Sequence, residues 1–192
     1  MRPASVLVLP GWQGSGPAHW QSRWQVRHGY TRVEQSDWQR PLRGDWSARL
    51  EDAVLARGDA DDGGGPILLA AHSLGCILAA WWAAHSRNAA RVRAALLVAP
   101  PDIERADLCQ QIPGWQPVAR QRLPFAATVV ASSNDPLCDI AVAARLAHDW
   151  GANWFNAGAC GHINAESGLG DWPQGHQLLC AIARQNPPPD PA

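Results

Sequence analysis

"ILLAAHSLGCILAAWWAAH", residues 67–85, joins a continuous apolar run to a second segment whose apolar residues go nearly all the way round a helix. Between the two lie His72, Ser73 and Gly75. A turn made only for connection would carry Asn, Asp, Pro or several glycines. The run before it, 66–71, has the character of a strand buried on both faces. The segment 74–85 follows as a largely buried helix. The turn itself, Ala71-His72-Ser73-Leu74-Gly75, has the pattern small-x-Ser-x-Gly. A sharp strand-to-helix turn brings the backbones flanking the serine together, so only small side chains fit at 71 and 75. The serine is then held in a strained conformation that projects its hydroxyl from the sheet edge. It also stands at a helix N-terminus, where free backbone N–H groups favour negative charge such as a tetrahedral oxyanion. The plainer reading of the same residue is an N-cap on helix 74–85.

Working outward, the apolar patterning predicts strands at 5–10, 30–34, 66–71, 92–101, 125–135 and 152–158. It predicts helices at 19–28, 46–57, 74–85, 138–150 and 172–185, with Pro173 in the first turn of the last. Strand and helix alternate, so the expected fold is a three-layer α/β domain over 1–185, with a mostly parallel sheet of about six strands and helices on both faces. GDADDGGGP (58–66) is expected to be a loop, and the Pro-rich tail 186–192 to be disordered. Ligands of such sheets bind outside the carboxyl ends of the strands. The residues to inspect are therefore Gly11-Trp12, Ser73, Pro101-Asp102, Asn134-Asp135 and Gly161-His162.

Composition narrows the chemistry. The formal net charge is −1 and no basic stripe exists, so neither nucleic acid nor an acidic membrane is an expected partner. All sixteen basic residues are arginine. The lack of lysine excludes a Schiff-base lysine, a pyridoxal-phosphate anchor and a phosphate-loop lysine. Five scattered cysteines without a C-x-x-C suggest reduced thiols and a cytoplasmic protein. Histidine and cysteine spacings suggest no metal site, and no cofactor is expected. The apolar run near residue 6 is too short for a signal segment, and no window is long enough to span a bilayer.

A serine hydroxyl needs a base, and the base needs a carboxylate to fix its tautomer. The expected chain order after a serine of this kind is acid, then histidine. His85, His148 and His176 fall within or at the ends of helices. His162 lies in the glycine-rich loop GACGHINAESGLG just past the last strand, where a base could reach Ser73. Asp135, in SSNDPL after the preceding strand, is the preferred acid. Asp102 competes for that role, and Asp139 is placed to cap a helix. The oxyanion donors expected are the N–H of Leu74 and, from the loop LPGWQGSG, that of Trp12, with Gln13 as the alternative.

Taken together, LPGWQGSGPAHWQ, AHSLG, SSNDPLC and GHINAESGLGDWPQG resemble the retinoblastoma-binding-protein-9-like serine hydrolases over about residues 4 to 184. The resemblance implies a small α/β-hydrolase fold with a minimal cap and hydrolysis of carboxylic esters or amides without metal or cofactor. It also implies Ser73 as nucleophile, Asp135 as acid and His162 as base. The L-x-C-x-E partner motif associated with the family's namesake is absent here, because the nearest run, Leu74 to Leu78, ends in leucine. Among the eleven tryptophans, Trp12 and Trp172 are expected to contact substrate, with Trp115 as a further candidate near the site. Two other readings compete. One is a non-catalytic binding protein on a hydrolase scaffold, the other an aminopeptidase-like hydrolase of small aminoacyl amides.

Overall fold

A computed structural model describes residues 4–57 and 65–184. Its elements run β1 (Ser5–Leu9), α1 (Trp20–His28), β2 (Thr31–Arg32), α2 (Arg43–Leu55), β3 (Ile67–His72), α3 (Leu74–His85), β4 (Val92–Val98), α4 (Ala106–Gln111), β5 (Ala126–Ala131), α5 (Ile140–Asp149), β6 (Asn153–Asn156) and α6 (Pro173–Ile182). The six strands form one sheet in the order β2-β1-β3-β4-β5-β6, and every neighbouring pair is parallel. Strand order reverses between β1 and β3, and Gly11-Trp12 and Ser73 follow these two strands at their carboxyl ends, the side on which ligands of such sheets bind.

The alternation of side chains along each strand divides the core in two. Leu7, Leu9, Leu69, Ala71, Ala95 and Leu97 face α2, α3 and α5 in one apolar cluster. Val6, Leu68, Ala70, Ala94, Leu96 and Val98 face the opposite way, with Trp20 and Trp24 of α1 and Leu179 and Ile182 of α6. Burial on both faces explains the continuous apolar runs Ile67–Ala71 of β3 and Ala94–Val98 of β4.

Several boundaries differ from expectation for local reasons. The second strand pairs only at Thr31 and Arg32, against Leu7 and Val8 of β1. Strand β5 stops at Ala131, because Ser132 and Asn134 turn away to bond the loop after β6. The short α4 has too few turns to give a periodic signal, and the sequence reading missed it. Helix α6 begins at Pro173, with Trp172 outside it in a left-handed conformation. The predicted loop 58–66 is described only at its last two residues, and the predicted tail lies outside the described residues. The long connection 99–125 between β4 and β5 carries only α4. No helix of the described residues is long and apolar enough to cross a membrane.

Candidate active site

Ser73 sits between β3 and α3 with φ 52° and ψ −126°, a backbone conformation that L-residues rarely adopt. The hydroxyl makes no cap bond to α3, which removes the N-cap reading. Close packing enforces the turn. A Cβ on Gly75 would run into the carbonyl oxygen of Leu9 and lie 2.9 Å from that of Pro10. A Cβ on Gly11 would lie 2.6 Å from Ser73 Cβ and 3.1 Å from its Oγ. Glycine is thus required at 75 by the main chain of Leu9 and Pro10 and at 11 by Ser73 itself, so the loop after β1 lies directly against Ser73.

His162 arrives from the loop after β6. Its Nε2 is 2.8 Å from Ser73 Oγ. Its Nδ1 is 3.0 and 2.9 Å from the two carboxylate oxygens of Asp135, whose side chain is only 3% exposed. A carboxylate can only accept, so Nδ1 carries the proton and Nε2 is left to accept from the serine hydroxyl. Three residues from three strand ends are therefore brought together as one chain of hydrogen bonds. The arrangement can draw a proton from the serine onto a ring already oriented by a buried carboxylate.

The alternatives lie elsewhere. Asp102 accepts the N–H of Glu104 in its own turn. Asp139 caps α5 by accepting the N–H of Ala141. His85 bonds the carbonyl of Trp81 at the end of α3, His148 is exposed beside Asp149, and His176 bonds the Tyr30 hydroxyl.

Of the two backbone N–H groups weighed in the loop after β1, that of Gln13 donates to the carbonyl of Trp38. The N–H of Trp12 has no acceptor among the described residues. Leu74 opens α3, and its N–H is one of the free donors of the first turn. Indole Nε1 of Trp12 donates to Gln39 O, and the ring is half-buried.

Two aromatic expectations need correction. Trp172 is 6% exposed and packs on Trp20 and Trp24 with its ring flush against Gly175, so it fills the core between α1 and α6 and does not wall an open site. Trp115 is fully buried, edge-on to Trp46, with its N–H on the carbonyl of Pro41. Both are consumed by packing, which sequence position near a loop does not reveal.

What the sequence reading missed is the shell around His162. His72, buried beside Ser73, donates from Nε2 to the carbonyl of His162 at 2.9 Å. Its ring lies edge-on to His162 and His19. Burial, then the neighbouring His162 and His19, hold His72 well below the usual imidazole range. His19 is lowered to about 4 by burial, then by His162 and Arg32. Its Nδ1 accepts from the Gln21 N–H, which caps α1. Both rings are neutral next to His162. Burial also pushes the thiol of Cys76 well up, so the cysteine nearest the serine turn is no competing nucleophile. The signals for this shell were in plain view as the histidines of AHSLG and AHWQ, but a sequence does not show which carbonyl they meet.

A family model described as serine hydrolase matches residues 6–181. No curated protein matches the chain by sequence. Among solved structures, a protein described as a YdeN-like hydrolase from Pectobacterium atrosepticum is 26% identical, with a TM-score of 0.80 over 96% of this chain and 93% of the other. The ydeN gene product of Bacillus subtilis is 19% identical, with a TM-score of 0.75 over 95% of this chain and all of the other (100%). A thermophilic esterase from Thermogutta terrifontis, solved with butyrate bound, is 16% identical, with a TM-score of 0.65 over 94% of this chain and 82% of the other. These likenesses agree with an α/β-hydrolase fold of six parallel strands.

Proposed function

The chain belongs to the serine hydrolase family, and we propose that it cleaves small carboxylic esters or amides through an acyl-enzyme on Ser73. His162 Nε2 takes the hydroxyl proton as Ser73 Oγ attacks the carbonyl carbon. Asp135 holds the imidazolium by its Nδ1–H. The oxyanion accepts from the N–H groups of Leu74 and Trp12. Collapse of the tetrahedral intermediate breaks the bond to the leaving group, which takes its proton from His162. Water, deprotonated by the same ring, then attacks the acyl carbon, and Ser73 regains its proton as the acid leaves. The half-buried indole of Trp12 is the aromatic contact offered to substrate. Five free cysteines among the described residues support a cytoplasmic setting.

The observation that carries this reading is the 2.8 Å contact of Ser73 Oγ with a ring whose other nitrogen meets a buried carboxylate. The test is labelling with a fluorophosphonate probe, with turnover of 4-nitrophenyl acetate followed in parallel. The expected outcome is one adduct at Ser73, with label and turnover both lost in Ser73→Ala. Label that persists in that variant would overturn the assignment. An unlabelled, inactive wild-type protein would favour a binding role on this scaffold.

A further inference from the structure

His162 stands in a loop rich in glycines at positive φ, among them Gly158, Gly161 and Gly168. Such glycines leave the backbone freedom that bonds within the loop, such as Ser167 Oγ to the carbonyl of Cys160, remove only in part, so restraints from elsewhere matter for the ring. Four consecutive residues of the loop each have a backbone group held by a side chain from another segment. The N–H of Cys160 donates to Ser132 Oγ at 2.9 Å. The N–H of Gly161 donates to Asn134 Oδ1 at 2.7 Å, and the Ser132 hydroxyl donates to that same oxygen. The carbonyl of His162 accepts from His72 Nε2, and the carbonyl of Ile163 accepts from Trp20 Nε1, both at 2.9 Å.

Ile163 shows that these bonds constrain the chain. It is fully buried at φ 48°, an outlier for a β-branched residue. Strain of this kind persists only where the surroundings over-determine it. The holding residues come from three separate places: the start of α1, the end of β3 and the turn after β5. One of them, His72, immediately precedes Ser73. The strand end that presents the hydroxyl therefore also fixes the loop that brings its base.

We propose that Ser132, Asn134, His72 and Trp20 are positioning residues that clamp the backbone at 160–163, so that His162 meets Ser73 and Asp135 at once. The proposal rests on the acyl-enzyme reading above. Because the carbonyl of His162 can only accept, His72 must present a donor at its Nε2 position. Glutamine carries an N–H near that point, whereas phenylalanine keeps a ring and loses the donor.

The experiment compares His72→Phe, His72→Gln and Asn134→Ala with the wild type on 4-nitrophenyl acetate. The downfield NMR signal of the proton between His162 and Asp135 is recorded for each protein. His72→Phe and Asn134→Ala are expected to lower kcat roughly 10- to 100-fold, leave KM within about twofold, and broaden or remove that signal. His72→Gln is expected to restore most of both. Asn134 lies on an exposed turn, so its variant carries the test if the buried His72→Phe protein does not fold. Wild-type kcat and an unchanged signal in Asn134→Ala or in folded His72→Phe would overturn the clamp, as would a glutamine variant no better than phenylalanine. Turnover that survives Ser73→Ala would instead overturn the acyl-enzyme reading. Loss in Ser73→Ala together with full activity in the His72 and Asn134 variants would overturn the clamp alone.

Discussion

The turn that presents Ser73 and the loop that presents His162 meet at one hydrogen bond, yet different forces hold them. The serine turn is fixed from within, by contacts so close that Gly11 and Gly75 leave no space for a methyl group. The histidine loop is open by comparison. A Cβ on Gly161 would find only Ser167 Oγ, 3.8 Å away. Beyond the bonds Ser167 makes within the loop, it is fixed from outside, by side chains of α1, β3 and the turn after β5. A steric restraint is local and leaves a short motif in the sequence. A restraint made of long-range hydrogen bonds leaves single residues scattered along the chain, none distinctive alone.

The sharpest way to break this contrast is Gly75→Ala. The added carbon meets the main chain of Leu9 and Pro10 with no flexible neighbour to move aside, so the variant should lose about 3 kcal/mol of stability and its activity with it. A denaturant titration checks this. An unchanged midpoint would mean that the turn is not sterically closed.

The next effect bears on the outer restraint. His19 packs against His72, and its folded-state pKa is lowered from 6.5 to about 4, chiefly by burial. The unfolded chain therefore binds more protons than the folded one in that interval. Stability is full above pH 6.5 and falls as the pH drops toward 4. For one group the span is on the order of 3 kcal/mol. His19→Asn keeps a capping oxygen for α1 and removes the titration, so its stability should depend less steeply on pH over that interval. Equal slopes for wild type and variant would show that His19 is not held neutral. His72, lowered in the same direction, leaves some slope in both proteins.

The smallest effect is that of Gly161→Ala. Its φ of 57° carries a left-handed penalty of roughly 1–2 kcal/mol, with no clash to add. A loss as large as that of Gly75→Ala would erase the distinction between the two regions.

The same contrast explains what was legible in the sequence. The alternation of strands and helices was readable because most of β3 and β4 is buried on both faces, leaving the apolar runs Ile67–Ala71 and Ala94–Val98. Ser73, Asp135 and His162 were readable as positions, since each follows a strand end on the ligand side of a parallel sheet. The partners of His72 and Trp20 were not, because their acceptors are backbone carbonyls 90 and 143 residues away. Trp172 misled for the converse reason. Its place next to the loop that carries His162 says nothing of the gap beside Gly175 that its ring fills.

The central claim is that two side chains far apart in the sequence act as one nucleophile. The most direct measurement is kcat on a single ester for Ser73→Ala, His162→Ala and the double variant, against wild type. If the pair is one unit, each single variant falls on the order of 10⁴-fold or more to a common residual rate, and the double variant falls no further. Losses that multiply in the double variant, or a Ser73→Ala protein that keeps its rate, would contradict the account.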